Sequence, residues 1–153
     1  MARRSNSKFF KQLDAWGAKK KKQREFIARE LLLRMGNRAQ KPQFGVRWTG
    51  GRYEEGKIPI DSLRMIKSFT VSINYRIVAI GRDAHVKAAG IVQPSDRFQF
   101  WWATPYAKRI EFGFSGQDSL GRRYNQKGRF WATATYNSWG AIKRQVIKDS
   151  ENA

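Results

Sequence analysis

From Phe69 to Ala79 the chain keeps a repeat of two, and that repeat constrains its fold more than any other feature. Phe69, Val71, Ile73, Tyr75, Ile77 and Ala79 alternate with Thr70, Ser72, Asn74, Arg76 and Val78. Successive side chains of an extended backbone point to opposite faces, so the pattern predicts a strand with one buried face and one wet face, ended by Gly81-Arg82-Asp83. A strand needs partners. Two more are predicted at Val86–Val92 and Arg97–Trp102, parted by Gln93-Pro94-Ser95-Asp96. Pro59, Ile60, Asp61 and Ser62 mark a helix start, with Leu63, Met65 and Ile66 facing inward. Pro105 opens a short helix, PYAKRIEFG, that stops at Gly113. A last helix is expected from about Phe130 to Ile147, with Ala132, Tyr136, Trp139, Ile142 or Lys143, and Val146 along one side.

The front of the chain is different in kind. Residues 1–45 carry thirteen Lys and Arg against three Asp and Glu, a net of +10 out of the whole chain's +19. Apolar residues there keep helical spacing, Phe9, Leu13 and Trp16 in one set and Ile27, Leu31 and Met35 in another. Ser5, Asn6 or Ser7 can cap the start, and Gly36-Asn37 is the expected stop. Between the sets lie Gly17 and the run Lys19-Lys20-Lys21-Lys22, which puts charge on every side of the helix. This predicts one long helix, or two joined weakly near Gly17. A continuous helix from Ser7 to Met35 would reach about 43 Å at 1.5 Å per residue, longer than a small domain is wide, so it should project or lie along a neighbour.

The 153 residues suit one core. Residues 1–40 are expected as a basic projecting helical segment and 41–153 as a single domain with long loops at 41–58 and 114–128. The class is α+β: a long N-terminal helix, a small antiparallel sheet of about three to four strands packed against one or two helices, and a C-terminal helix.

Catalytic chemistry is sparse. The single histidine, His85, has no second histidine with which to share a metal and is expected as a structural or solvent-facing residue beside a strand. Glu54 and Glu55 are neighbours in a glycine-rich loop and point different ways, which fits a solvated loop better than an acid/base pair. Gly113-Phe114-Ser115-Gly116 lacks the spacing of a nucleophile elbow, and no phosphate-binding or dinucleotide loop is present. With no cysteine there is no thiol chemistry, disulfide or Cys-ligated zinc. No apolar run approaches the roughly 20 residues that cross a bilayer, and no secretory signal opens the sequence. The expectation is a non-enzymatic protein without cofactor, metal or membrane partner.

A charge of +19 asks for an acidic partner. Lys19, Lys20, Lys21, Lys22 and Arg24, with Arg3, Arg4, Lys8 and Lys11, could neutralise phosphates or meet an acidic protein surface. Phe98, Phe100, Trp101 and Trp102 beside Arg97 could stack bases, although their strand spacing fits core or subunit interface better. A basic nucleic-acid-binding module is therefore one function class the residues allow.

Three segments carry a family resemblance. Pro59-Ile60-Asp61-Ser62-Leu63-Arg64 followed by Ser68-Phe69 resembles the P-V-D-T-G-x-L-R-x-S signature of small head–tail joining proteins of tailed bacteriophages, the neck or tail-completion family. Here Ser62 is followed directly by Leu63, without the signature's glycine. Thr104-Pro105-Tyr106-Ala107-Lys108-Arg109-Ile110-Glu111-Phe112-Gly113 resembles that family's x-Y-A-x-x-V-E-F-G segment. Gly128-Arg129-Phe130-Trp131-Ala132-Thr133-Ala134 resembles its closing G-F-x-R-x-A element. The resemblance spans roughly residues 20–147 and implies a structural virion protein, a subunit of a sixfold or twelvefold ring at the neck, assembled in the host cytoplasm. Its implied partners are portal or adaptor, neck and tail-tube or terminator proteins, with possible contact to packaged DNA. Tyr106, Arg109, Glu111, Phe112, Trp101 and Trp102 are then candidate inter-subunit contacts, with Glu111 the carboxylate expected to meet an arginine of the next subunit.

Overall fold

The computed structural model describes residues 3–44, 54–60 and 63–153, with side chains from residue 6 onward. A single helix α1 (Arg3–Ala39) leads into two short strands, β1 (Pro42–Gln43) and β2 (Ile58–Pro59), that pair in parallel. Next come α2 (Arg64–Lys67), β3 (Phe69–Ile73), β4 (Arg76–Ile80), α3 (Ala84–Ala89) and β5 (Phe98–Trp102). The chain finishes with α4 (Ala107–Phe112), the hairpin β6 (Gly113–Gln117) and β7 (Arg123–Lys127), and the helices α5 (Trp131–Asn137) and α6 (Trp139–Glu151). The class is α+β, with antiparallel sheets of two and three strands; the larger has the order β4-β3-β5.

α1 runs through Gly17 and through the expected stop at Gly36-Asn37. Gly36 is needed inside the helix for room, because a Cβ there would overlap the Cβ and ring of His85 on α3. The helix can therefore lie directly on α3. Asn37 turns its Oδ1 to His85 Nε2 at 2.7 Å. His85 is buried beside the Phe69 ring, and burial holds its pKa below the ordinary histidine value while the nearby charge of Asp83 pulls it back up. Directly after the helix comes Gln40, a buried amide whose Nε2 donates to the carbonyls of Ile66 (2.8 Å) and Arg82 (3.1 Å) and whose Oε1 accepts from Trp102 Nε1 at 2.9 Å. The C-terminal third of α1 thus belongs to the core with Phe69, Val71, Ile73 and Ala88. Residue 40 is no boundary between an appendage and a domain.

Several local expectations are corrected. The alternating run 69–79 is a hairpin. Asn74 and Tyr75 both take positive φ (50° and 66°) and form its two-residue turn, and Tyr75 and Ile77 lie exposed. Asn74 holds that turn by bonding Asp96 Oδ1 (2.7 Å) and accepting from the Arg97 amide (3.0 Å). The expected strand Val86–Val92 is instead α3 and the turn that follows it. His85, Ala88, Ala89 and Val92 recur at i, i+3, i+4 and i+7 and are all buried, whereas Val86 and Ile91 are exposed. Leu63 faces outward, leaving Met65 and Ile66 to fill the core; the start at Asp61-Ser62 lies outside the described residues. So does 45–53 of the expected loop 41–58, whose described flanks form the β1-β2 pair.

The expected loop 114–128 is the β6-β7 hairpin. Asp118 closes its tip, accepting from the amides of Leu120 and Arg122 (both 2.9 Å), Arg122 Nε (2.6 Å) and Tyr124 Oη (3.0 Å). Desolvation works against that carboxylate's charge, but the hydrogen bonds prevail and hold its pKa below the ordinary aspartate range. The single closing helix is two, meeting at Ser138, whose hydroxyl also donates to Ala134 O at 2.7 Å. Trp131, Thr135, Val146 and Ser150 are their buried residues, while Tyr136 is exposed.

One substitution at two places on α1 separates room from propensity. Gly36→Ala is expected to lower stability by about 1–3 kcal/mol through overpacking against His85. Gly17→Ala has nothing within 4 Å to meet. It is expected to strengthen the helix by about 1 kcal/mol of propensity. Urea unfolding and the far-ultraviolet helical signal of the two variants check both signs.

Candidate interaction surfaces

β3 is the central strand, and its five residues are all buried. The side toward α1 and α3 carries Phe69, Val71 and Ile73. The opposite side was expected to be wet around Thr70, Ser72 and Asn74. Only the turn residue Asn74 is exposed; Thr70 and Ser72 are 2% and 1% exposed. Register explains this. Thr70 lies between Ile80 and Trp101, and Ser72 lies between Ile77 and Gln99, so larger flanking side chains close over the small central ones. What then faces outward is apolar: Ile77 is 59% and Ile80 61% exposed, beside half-buried Trp101. The sheet has two apolar faces, and α1 and α3 cover one of them.

The remaining members of the aromatic strand are structural. Phe98, Phe100 and Trp102 pack against the core cluster. Trp102 stands 5.2 Å from the Phe69 ring and 5.4 Å from the Trp131 ring, centroid to centroid. Phe100 lies 5.2 Å from Phe69, and Phe98 lies 6.5 Å from Trp139. These rings are spent on each other, which leaves Trp101 as the aromatic member of the strand on the opposite side, beside Gln99.

α4 divides its candidates between core and surface. Tyr106 and Ile110 pack half-buried on the second cluster, around Ile58, Met65 and Trp131. Phe112 is exposed, and the exposed Arg109 lays its guanidinium 4.4 Å over the Phe114 ring. Glu111 is buried, and its carboxylate is occupied within the chain. Oε2 accepts from the Ala132 amide at 3.0 Å, and Oε1 accepts from the amide (2.8 Å) and hydroxyl (2.6 Å) of Thr133. It therefore supplies a carboxylate to the first turn of α5, where unpaired amides and the helix dipole favour an anion. Gly128 lets the two segments touch, since a Cβ there would strike the Glu111 carbonyl, and the Arg129 and Phe130 amides bond Ile110 O (2.8 Å) and Glu111 O (3.1 Å).

Lys19, Lys20, Lys21, Lys22 and Arg24 are all exposed on α1. Lys20 Nζ meets Gln23 Oε1 at 3.1 Å. Lys19, Lys22 and Arg29 line a cavity of about 410 Å³ with Gln23 and Glu25, between α1, the Ala89–Gln93 segment and the end of α6. Among the described residues no group of three or more His, Cys, Asp or Glu is placed to hold a metal, and no helix is long and apolar enough to cross a membrane. Two features escaped sequence reasoning: the apolar outer sheet face, hidden by the unrecognised turn at Asn74-Tyr75, and the role of Glu111 at α5. Gly128, five residues ahead of Thr133, was the available signal for the second.

Removing the Glu111 charge tests that role directly. Glu111→Gln keeps the shape but leaves one oxygen to serve three donors, and should cost about 1–2 kcal/mol in chemical unfolding. An unchanged unfolding midpoint would mean that the carboxylate contributes nothing to seating α5.

Compared with known proteins, the chain matches no family model, no curated protein and no solved structure.

Proposed function

We propose that this chain is a non-enzymatic structural subunit of a phage head–tail joining ring, at the neck or tail-completion station between portal and tail. The observation that carries the reading is the apolar sheet face of Ile77, Ile80 and Trp101, uncovered among the described residues, an adhesive surface in a chain whose charge keeps isolated copies apart. Such a patch suits head-to-tail contact in a closed ring, in which each subunit meets its neighbour through two different surfaces. The motif resemblance supplies the setting. Its three segments, far apart in sequence, meet around one cluster: Ile60, Met65, Tyr106, Ile110, Trp131 and Ala132. Phe112 and Arg109 lie on the exposed side of that unit and remain contact candidates, as does Trp101. Sixfold and twelvefold symmetry both fit, with portal or adaptor, neck, and tail-tube or terminator proteins as neighbours in the virion.

A second reading is a nucleic-acid-binding module, favoured by Lys19, Lys22 and Arg29 around one cavity. It requires duplex binding that weakens steeply with salt.

The test is incorporation. Gold-labelled antibody to the chain should mark the head–tail junction of phage particles that carry its gene. Ile77→Lys should change stability by no more than about 0.5 kcal/mol, as for an exposed site, yet keep the chain out of particles. Label absent from the junction, or an Ile77→Lys chain that assembles normally, overturns the reading.

A further inference from the structure

Every residue of α1 from Asn6 to Lys22 is exposed. Within this stretch Phe9 is 59%, Leu13 48% and Trp16 59% exposed, and the Phe9 ring stands 5.7 Å from that of Phe10, which is exposed as well. At 3.6 residues per turn, Phe9, Leu13 and Trp16 fall within an arc of about 60°. Gln23, Ile27, Leu31 and Arg34 continue the same row. Further along α1 that row is occupied. Gln23 Nε2 donates to Ser150 Oγ at 3.2 Å, and Arg34 bridges Asp149 at 2.7 Å, so α6 lies against it with an acidic residue at the contact. The hydrogen bond to Asp149 raises the Arg34 pKa, and that to Arg34 lowers the Asp149 pKa, as a formed ion pair requires.

We infer that the row Phe9-Leu13-Trp16 seats in an apolar groove of a partner protein whose rim carries carboxylates. The row extends a helix–helix interface that the molecule already uses. Its surroundings are basic: residues 6–24 hold seven Lys and Arg against Asp14, a net of +6. That charge disfavours a second copy of the same arm, whose helix would repel it. Nucleic acid offers phosphates to the lysines and unpaired bases to stack on Phe9 and Trp16, but it offers nothing to Leu13 between them. A lipid surface takes an unbroken apolar face, whereas Lys20 lies within this row ahead of Gln23. An acidic partner protein satisfies both the row and the charge, in the helix-in-groove manner with anchors at i, i+4 and i+7. The inference goes beyond the ring reading and does not need it, because the arm and its charge are properties of this chain alone.

The probe is a synthetic helix with leucine at its a and d positions and glutamate at the flanks, labelled with fluorescein and titrated with the full chain. Binding should weaken by at least about tenfold for Phe9→Ala/Trp16→Ala, the size of effect expected for losing aromatic anchors. Both replacements favour helix and remove no contact to the rest of the fold, so circular dichroism and the unfolding midpoint should stay unchanged. Parallel titrations use vesicles of mixed phosphatidylcholine and phosphatidylglycerol, a short DNA duplex, and the chain against itself by sedimentation. Peptide binding that is absent, or equal for both proteins, overturns the inference. A loss confined to the vesicle, duplex or self-association arm assigns the row to that occupant and overturns it equally. Absence of the chain from phage particles would leave this result untouched.

Discussion

The rest of the structure depends on how the last turns of α1 are seated, and the buried amide of Gln40 is the fastening. One side chain satisfies the carbonyls ending α2 and the β4–α3 turn, and takes the indole N–H of Trp102 from β5. Left unpaired in that interior, any of those groups would cost about 1–3 kcal/mol, so the amide fixes the helix axially as well as holding it down. Four residues earlier, Gly36 brings the backbone onto His85 with no side chain between them. Together they place Leu32 and Ala39 against the sheet, whose central strand then has no exposed residue.

The chain consequently carries core and surface on the same helix. From Leu32 onward α1 is interior material; before Gln23 it meets solvent on every side. An isolated helix of that length is marginal in water even with good propensity, so the arm's order is borrowed from the seated end and, once docked, from an acidic partner. The sheet has the same division. One face is closed by helices, while Ile77, Ile80 and Trp101 on the other wait for a surface of comparable character.

How much of this was legible in the sequence differs by element. The class, the strands at Phe69–Ile73 and Phe98–Trp102, and the short helix between Pro105 and Gly113 followed from period and punctuation. The failures share a cause, which is that local pattern does not report sequence-distant neighbours. Alternation continued through Asn74-Tyr75 because a two-residue turn preserves a period of two. α3 hid because Val86 and Val92 suggested β structure, while its helical spacing rests on small alanines that matter only beside α1. The β6-β7 hairpin was polar enough to pass for a loop, since Phe114 and Tyr124 are its only large apolar pair. At the surfaces, the exposure of Lys19–Lys22 was readable from charge. The burial of Glu111 was not, because it depends on Gly128 bringing a distant segment to it.

α1 is thus a core element at one end and an unpartnered arm at the other, and everything proposed for its surface rests on that division. Amide hydrogen exchange along that one helix in the isolated protein tests it most directly. Residues 32–39 should exchange as slowly as β3, and residues 6–18 at least about a hundredfold faster, because local opening there breaks no tertiary contact. Uniformly slow exchange from Asn6 to Ala39 would contradict the division, since it would mean that the arm already has a partner within its own chain.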